Sequence, residues 1–113
     1  MLICGSRTWT DRALMAAVIA RIPPGSPVVH GGARGADRMA DALARARGLA
    51  VEVYPADWAR YGMAAGPLRD LAMLARGVDV VLAFRAPGPS PGTDHMIRIA
   101  RAAGVRVWMA DAG

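Results

Sequence analysis

Three glycine-bearing segments place hydroxyl or guanidinium groups beside backbone that carries no Cβ, a combination suited to phosphate. They are Gly5-Ser6-Arg7, Gly31-Gly32-Ala33-Arg34-Gly35 and Gly92-Thr93. In the second, Gly31, Gly32 and Gly35 let backbone N–H groups approach an anion. The helix expected after them adds free amides and a positive dipole end, and Arg34 can fork onto a phosphate. The same glycines also suit a plain tight turn. The spacing is neither the dinucleotide GxGxxG nor a Walker loop, which needs Gly-Lys-Ser/Thr. Thr93 either caps the helix it opens or gives its hydroxyl to a phosphate. Asp94, one residue on, is either a dipole-compensating charge or a catalytic carboxylate.

Other reactive residue types have plainer readings. Arg69 follows Gly66-Pro67 in a helical stretch and is either a surface charge or a site residue. His30 ends an apolar run and reads as a packed, hydrogen-bonded core histidine. His95, near a helix start, reads as solvent-facing. Two His and one Cys give no metal-ligand spacing. Nothing marks a nucleophile elbow. Cys4 lies in an apolar run and reads as a small buried hydrophobe. Tyr54, Trp58 and Tyr61 either stack on a base or pack a loop onto the sheet, the second being the simpler reading. Trp9 carries the same ambiguity, and Trp108 reads as core.

The elements that must position these residues follow from the apolar pattern. Strands are expected at 2–4, 28–30, 49–54, 78–84 and 105–109. Helices are expected at 11–22, capped by Thr10, at 37–47, at 64–76, and at 93–103, capped by Thr93. Gly48, Gly77 and Gly104 close the last three. Residues 55–62 and 85–92 read as loops. Strict alternation of strand and helix, with near-continuous apolar strands, predicts a Rossmann-like three-layer α/β sandwich with a five-stranded, mostly parallel sheet. Every unusual loop follows the carboxyl end of a strand. In a 3-2-1-4-5 sheet, the loops after strands one and four would wall the ligand crevice.

Composition agrees with one domain, spanning 1–113. The chain has 113 residues, 54% hydrophobic and 20% charged, which excludes a disordered segment. No run approaches the length of a membrane span and no signal peptide is legible, so a cytoplasmic location is expected. The net charge is +5 and all 14 basic residues are Arg. The absence of Lys points to GC-rich codon usage. The arginines are spread along the chain, which suits a small phosphorylated ligand better than a nucleic-acid groove.

The order of Gly5-Ser6-Arg7, Thr10-Asp11, His30 through Asp37, Tyr54-Pro55-Ala56-Asp57-Trp58, Ala65 through Arg69 and Gly92-Thr93-Asp94 resembles the YspA/YpsA-related branch of the SLOG superfamily. That superfamily includes the LOG-type phosphoribohydrolases and the DNA-processing protein DprA. The resemblance runs almost end to end. It implies a nucleotide or ADP-ribose-like ligand held by Gly5, Ser6, Arg7, by Gly31, Gly32, Ala33, Arg34, Gly35 and Asp37, by Arg69, and by Gly92 and Thr93. It implies no cofactor, and pairing of two copies through helices, for which the Ala- and Met-rich third helix is the candidate. Two alternatives come with it: hydrolysis of a nucleoside 5′-monophosphate, and DprA-like nucleic-acid binding. LOG enzymes carry a glutamate three residues after the Gly-Thr pair, where this chain has Met96. Methionine is no acid or base. Hydrolysis would then fall to Asp94, about 200° away around the helix.

Overall fold

The computed structural model describes residues 1–111. The elements run β1 (Leu2–Gly5), α1 (Arg12–Ile19), β2 (Val28–His30), α2 (Ala36–Ala46), β3 (Val51–Val53), α3 (Trp58–Tyr61), α4 (Ala65–Ala75), β4 (Val80–Arg85), α5 (Pro91–Ala102) and β5 (Arg106–Asp111), with a 3-10 turn (Gly62–Ala64) between α3 and α4. All five strands are parallel, in the order β3-β2-β1-β4-β5. The chain thus winds outward from β1 in one direction, then reverses to β4.

Alternation along the strands assigns each face. Ile3, Val28, Leu82 and Phe84 pack with Met15 and Ile19 of α1 and Ala36, Ala40 and Ala44 of α2. Leu2, Cys4, Val29, Val81 and Ala83 pack with Met73 of α4 and Met96, Ile97 and Ala100 of α5. The result is the expected three-layer sandwich. Alanines along α2 let that helix lie close on β1, β2 and β3. No helix among the described residues is long and apolar enough to cross a membrane.

Several boundaries differ from the sequence reading. Asp11, not Thr10, caps α1: its carboxylate accepts the Leu14 N–H at 3.0 Å. That helix stops at Ile19, and beyond it the Arg47 guanidinium takes the carbonyls of Ile19 and Ile22. The segment read as a loop at 55–62 contains α3, capped by Asp57 through the Arg60 N–H at 3.1 Å. Ser90, not Thr93, is the N-cap residue of α5, and Pro91 occupies the first helical turn, where its missing N–H costs nothing. Trp108 is 41% exposed and not core. It meets Phe84 edge-on at 6.0 Å, but it lies on edge strand β5, beyond the helices of that face. On α4, Leu68 and Leu71 also point to solvent.

Gly35 joins the two loops that matter most. Its φ is +75°, and a Cβ there would strike the backbone carbonyls of Ser6 and Arg7. Gly48 has a φ of +78° with open space around it. Gly48→Ala should therefore cost only the left-handed penalty, about 1–2 kcal/mol. Gly35→Ala should cost that plus an overpacking penalty of about 1–3 kcal/mol. Parallel denaturant titrations of the two variants check this, and equal losses would refute the crowding.

Candidate functional site

Two adjoining clefts open at the carboxyl ends of the strands. The first, about 280 Å³, lies at the β1/β4 switch point and is lined by the β1 loop (Gly5, Arg7, Thr8), by Asp37, Arg69, Asp70 and Met73, and by residues 89–93. The second, about 360 Å³, lies over the ends of β2 and β3 and includes Gly31, Gly32, Arg34, Arg38 and Trp58. Arg7, Ala33 and Arg69 line both.

A chain of hydroxyls crosses the floor of the first cleft. The Ala86 N–H donates to Ser6 Oγ at 2.9 Å, so the Ser6 hydroxyl turns its own proton to Ser90 Oγ at 3.2 Å. Ser90 in turn donates to Thr93 Oγ1 at 2.8 Å. The Thr93 proton is left without a protein acceptor among the described residues, on a residue that lines the cleft. Ser90 has spent its hydroxyl on this chain, and no side chain caps the first turn of α5. The amides there remain available to an anion. Gly92 has neither a positive φ nor any neighbour that a Cβ would meet. Packing therefore does not require a glycine at that position.

The glycine loop after β2 is arranged differently from the sequence reading. Asp37 Oδ2 accepts the N–H groups of Gly31 at 3.1 Å and Ala33 at 3.2 Å. The Gly32 N–H goes to His30 Nδ1 at 2.9 Å, which leaves the His30 Nε2 proton for Asp41 at 2.7 Å. Three of the amides expected to hold an anion are thus taken by the chain's own side chains. Asp37 occupies the place an anion would take there. Burial pushes its carboxyl pKa up, against the pull of the Ala33 amide, His30 and Arg69. Its Oδ1 has no protein partner among the described residues.

Arg69 is a largely covered structural cation, not a surface charge. Its Nη1 donates to the Gly31 carbonyl at 2.7 Å and its Nε to Asp70 Oδ1 at 3.0 Å. A Cβ on Gly31 would collide with this guanidinium. A larger residue at position 31 would displace Arg69. Asp70 Oδ2 also accepts from His95 Nδ1 at 2.7 Å, so His95 is not the solvent-facing residue expected. Nothing in the local sequence marks Asp70. Only packing of α4 on α5 brings it to His95.

Two candidates fall outside the clefts. Asp94 lines neither. Arg85 grips it through Nε and Nη2 at 2.8 and 3.2 Å and holds its carboxyl below the usual range. Met96 is fully buried in the core beneath α5. Cys4 touches the first cleft, but burial pushes its thiol far up, so it carries little thiolate. Of the aromatics, Trp9 is core, edge-on to Phe84 at 5.4 Å. Trp58 is exposed at the second cleft.

Residues 1–61 match the family model described as the YspA, cpYpsA-related SLOG family. The matched segment holds the β1 loop and the loop after β2, and Arg69, Asp70, Ser90 and Thr93 lie beyond it. The chain is also 47% identical over 116 residues to the Gene 61 protein of Mycobacterium phage D29, covering 95% of this chain and 92% of that protein. No solved structure matches. With more than half of its length matched, this chain belongs to the YspA, cpYpsA-related SLOG family.

Proposed function

We propose that the chain binds a nucleotide or nucleotide-derived ligand in the cleft between the β1 and β4 loops, with a phosphate at the first turn of α5. The observation that carries this reading is the hydroxyl chain from Ser6 through Ser90 to Thr93. It leaves one oriented O–H donor beside an uncapped helix N-terminus, next to a glycine that packing does not demand. Hydroxyl, amides and dipole converge on the charge of a phosphate. Arg7 adds a cation at the same mouth. On the opposite wall, Asp37 Oδ1 is an acceptor placed for a sugar hydroxyl. Binding without hydrolysis is favoured because Met96 is core and Asp94 is paired outside the cleft.

Thermal unfolding against AMP, NAD, ADP-ribose, cyclic dinucleotides, ribose 5-phosphate and free phosphate tests this. A ligand at one hundred times its Kd stabilises by about 2.7 kcal/mol, a rise of roughly 10 °C for a domain of this size. Thr93→Val and Gly92→Ala should keep the unliganded Tm within a few degrees and reduce the ligand-induced rise. No rise with any nucleotide would refute the reading.

Asp37 supplies a pH test of its electrostatics. In the unfolded chain its carboxyl titrates near 3.8, whereas the folded protein binds that proton more tightly. Ionising Asp37 therefore opposes folding, with no cost below about pH 3.8 and the full cost above the raised value. Asn at this position keeps the oxygen acceptor and removes the titration. The stability of Asp37→Asn relative to the parent should rise as pH increases from acid to neutral, read by urea unfolding at a series of pH values. A difference that is flat or falls with pH would contradict the raised carboxyl pKa.

A further inference from the structure

The two edges of the sheet are built differently. β3 closes one edge with three residues, and Arg76 grips Glu52 in its middle through Nε at 2.8 Å. A short edge strand with a charge in it resists pairing with a further strand. β5 closes the other edge with six residues, about 20 Å of extended chain. It has no proline, and its charged residues, Arg106 and Asp111, stand only at its ends. Between them Val107, Trp108, Met109 and Ala110 are all apolar. β4 pairs with β5 on one side, and no strand among the described residues lies on the other.

Arginines frame this edge on both faces. Arg101 on α5 reaches over β5 to Met109 Sδ at 3.7 Å. Arg98, one turn earlier, shares that flank of α5, opposite the flank from which His95 meets Asp70 of α4. On the other face of the sheet, Arg106 stands on the same side of the strand as Trp108. All three arginines are exposed, and none makes an ion pair among the described residues. Asp94, the carboxylate on the same flank of α5, is already held by Arg85. Trp108 is braced edge-on by Phe84 at 6.0 Å and still 41% exposed. An unpaired strand edge, an open indole and three unmatched cations thus meet along one side of the molecule.

We infer that the β5 edge is a docking site for an extended acidic segment of another protein, which adds a strand to the sheet. Backbone hydrogen bonds along β5 give such pairing its affinity, and alternate side chains give it selectivity. An apolar side chain of the incoming strand covers Trp108. Its acidic neighbours point to the opposite face and meet Arg98 and Arg101, and a further acid at one end meets Arg106. A second copy of this chain is the poorer occupant, because it would set the same arginines against each other. None of these residues lines either cleft, so the proposal stands apart from the reading of the cleft ligand.

The probe is a short blocked peptide in which Glu and Val alternate, with an extra Glu at each end. Two relatives accompany it, one with alternate amides N-methylated and one with Lys in place of Glu. Calorimetry gives the affinity, and amide shifts of the nitrogen-labelled protein give the place. The Glu peptide should bind with shifts concentrated at residues 106–111. N-methylation and Lys replacement should each weaken binding by about tenfold or more. Arg98→Ala/Arg101→Ala and Trp108→Ala should each weaken it by about fivefold. The control Arg38→Ala/Arg60→Ala removes the same charge from α2 and α3, which flank β3 in the chain, and should stay within about twofold.

An N-methylated peptide that binds as well as its parent, or an equal loss in the control pair, would reduce the contact to charge attraction and overturn strand addition. The N-methyl comparison uses the unaltered protein, so it decides even if Trp108→Ala fails to fold. Shifts centred outside β5 and α5, or no binding of the Glu peptide at millimolar concentration, would overturn the proposal as well. Sedimentation of the protein alone tests the other occupant: a dimer that Trp108→Ala breaks apart would give the edge to a second copy instead.

Discussion

The contact on which the functional end of this molecule depends is the Arg69 guanidinium lying on Gly31. A cation largely withdrawn from water is costly unless its charge and its N–H groups are matched. Here Asp70 supplies the charge and the Gly31 carbonyl an acceptor. Asp70 passes the constraint to His95 on α5. One side chain thus ties α4 to the loop after β2 and, through its neighbour, to the helix after β4. It also forms part of the wall between the two clefts. The guanidinium fills the space a Cβ at position 31 would need, so any larger residue there would push Arg69 off its partners.

Charge is divided around that wall with some economy. The N-terminus of α2 would be a natural anion site, but Asp37 in its first turn has claimed the nearby amides. The N-terminus of α5 differs, because Ser90 turns its hydroxyl to Thr93 and leaves the first turn uncapped. Two helices with the same dipole therefore present opposite faces to a ligand. One offers a carboxylate oxygen and the other offers donors. Ser6 connects them, since its carbonyl accepts the Ala36 N–H and its hydroxyl begins the chain that ends at Thr93. A displacement of the β1 loop would be felt at both helices.

The architecture was legible because it rests on strong and local signals. Apolar strands flanked by polar loops, glycines closing three helices, and right-handed crossovers left little choice of topology. The site was legible as a set of loops but not as a set of roles. Gly31, Gly32 and Gly35 read as an anion cradle, since the sequence does not say whether a loop amide is satisfied by a side chain a few residues on. Thr93 read as a cap because Gly92 precedes it. The better signal was Ser90-Pro91, a cap residue followed by the proline that favours a first helical turn. His95 and Trp108 were misplaced for a different reason. Their surroundings are set by how α4 meets α5 and by which strand ends at the sheet's edge, and both are tertiary facts.

The carboxylates that do reach the first cleft bear on what kind of site it is. A catalytic carboxylate on a glycosidic bond must stabilise charge or move a proton as the bond breaks. Asp70 has both oxygens engaged, one by arginine and one by histidine. Asp37 has one oxygen fixed by two amides and only one open to the cleft. Each is therefore held rigidly by groups that also shape the loop, so a change in protonation would disturb the scaffold along with the ligand. At the position where LOG enzymes place a glutamate, the helix turns a methionine into the core. An acceptor fixed in this way is well suited to orienting a sugar hydroxyl, and its rigidity raises selectivity by leaving the wrong ligand's polar groups unmatched.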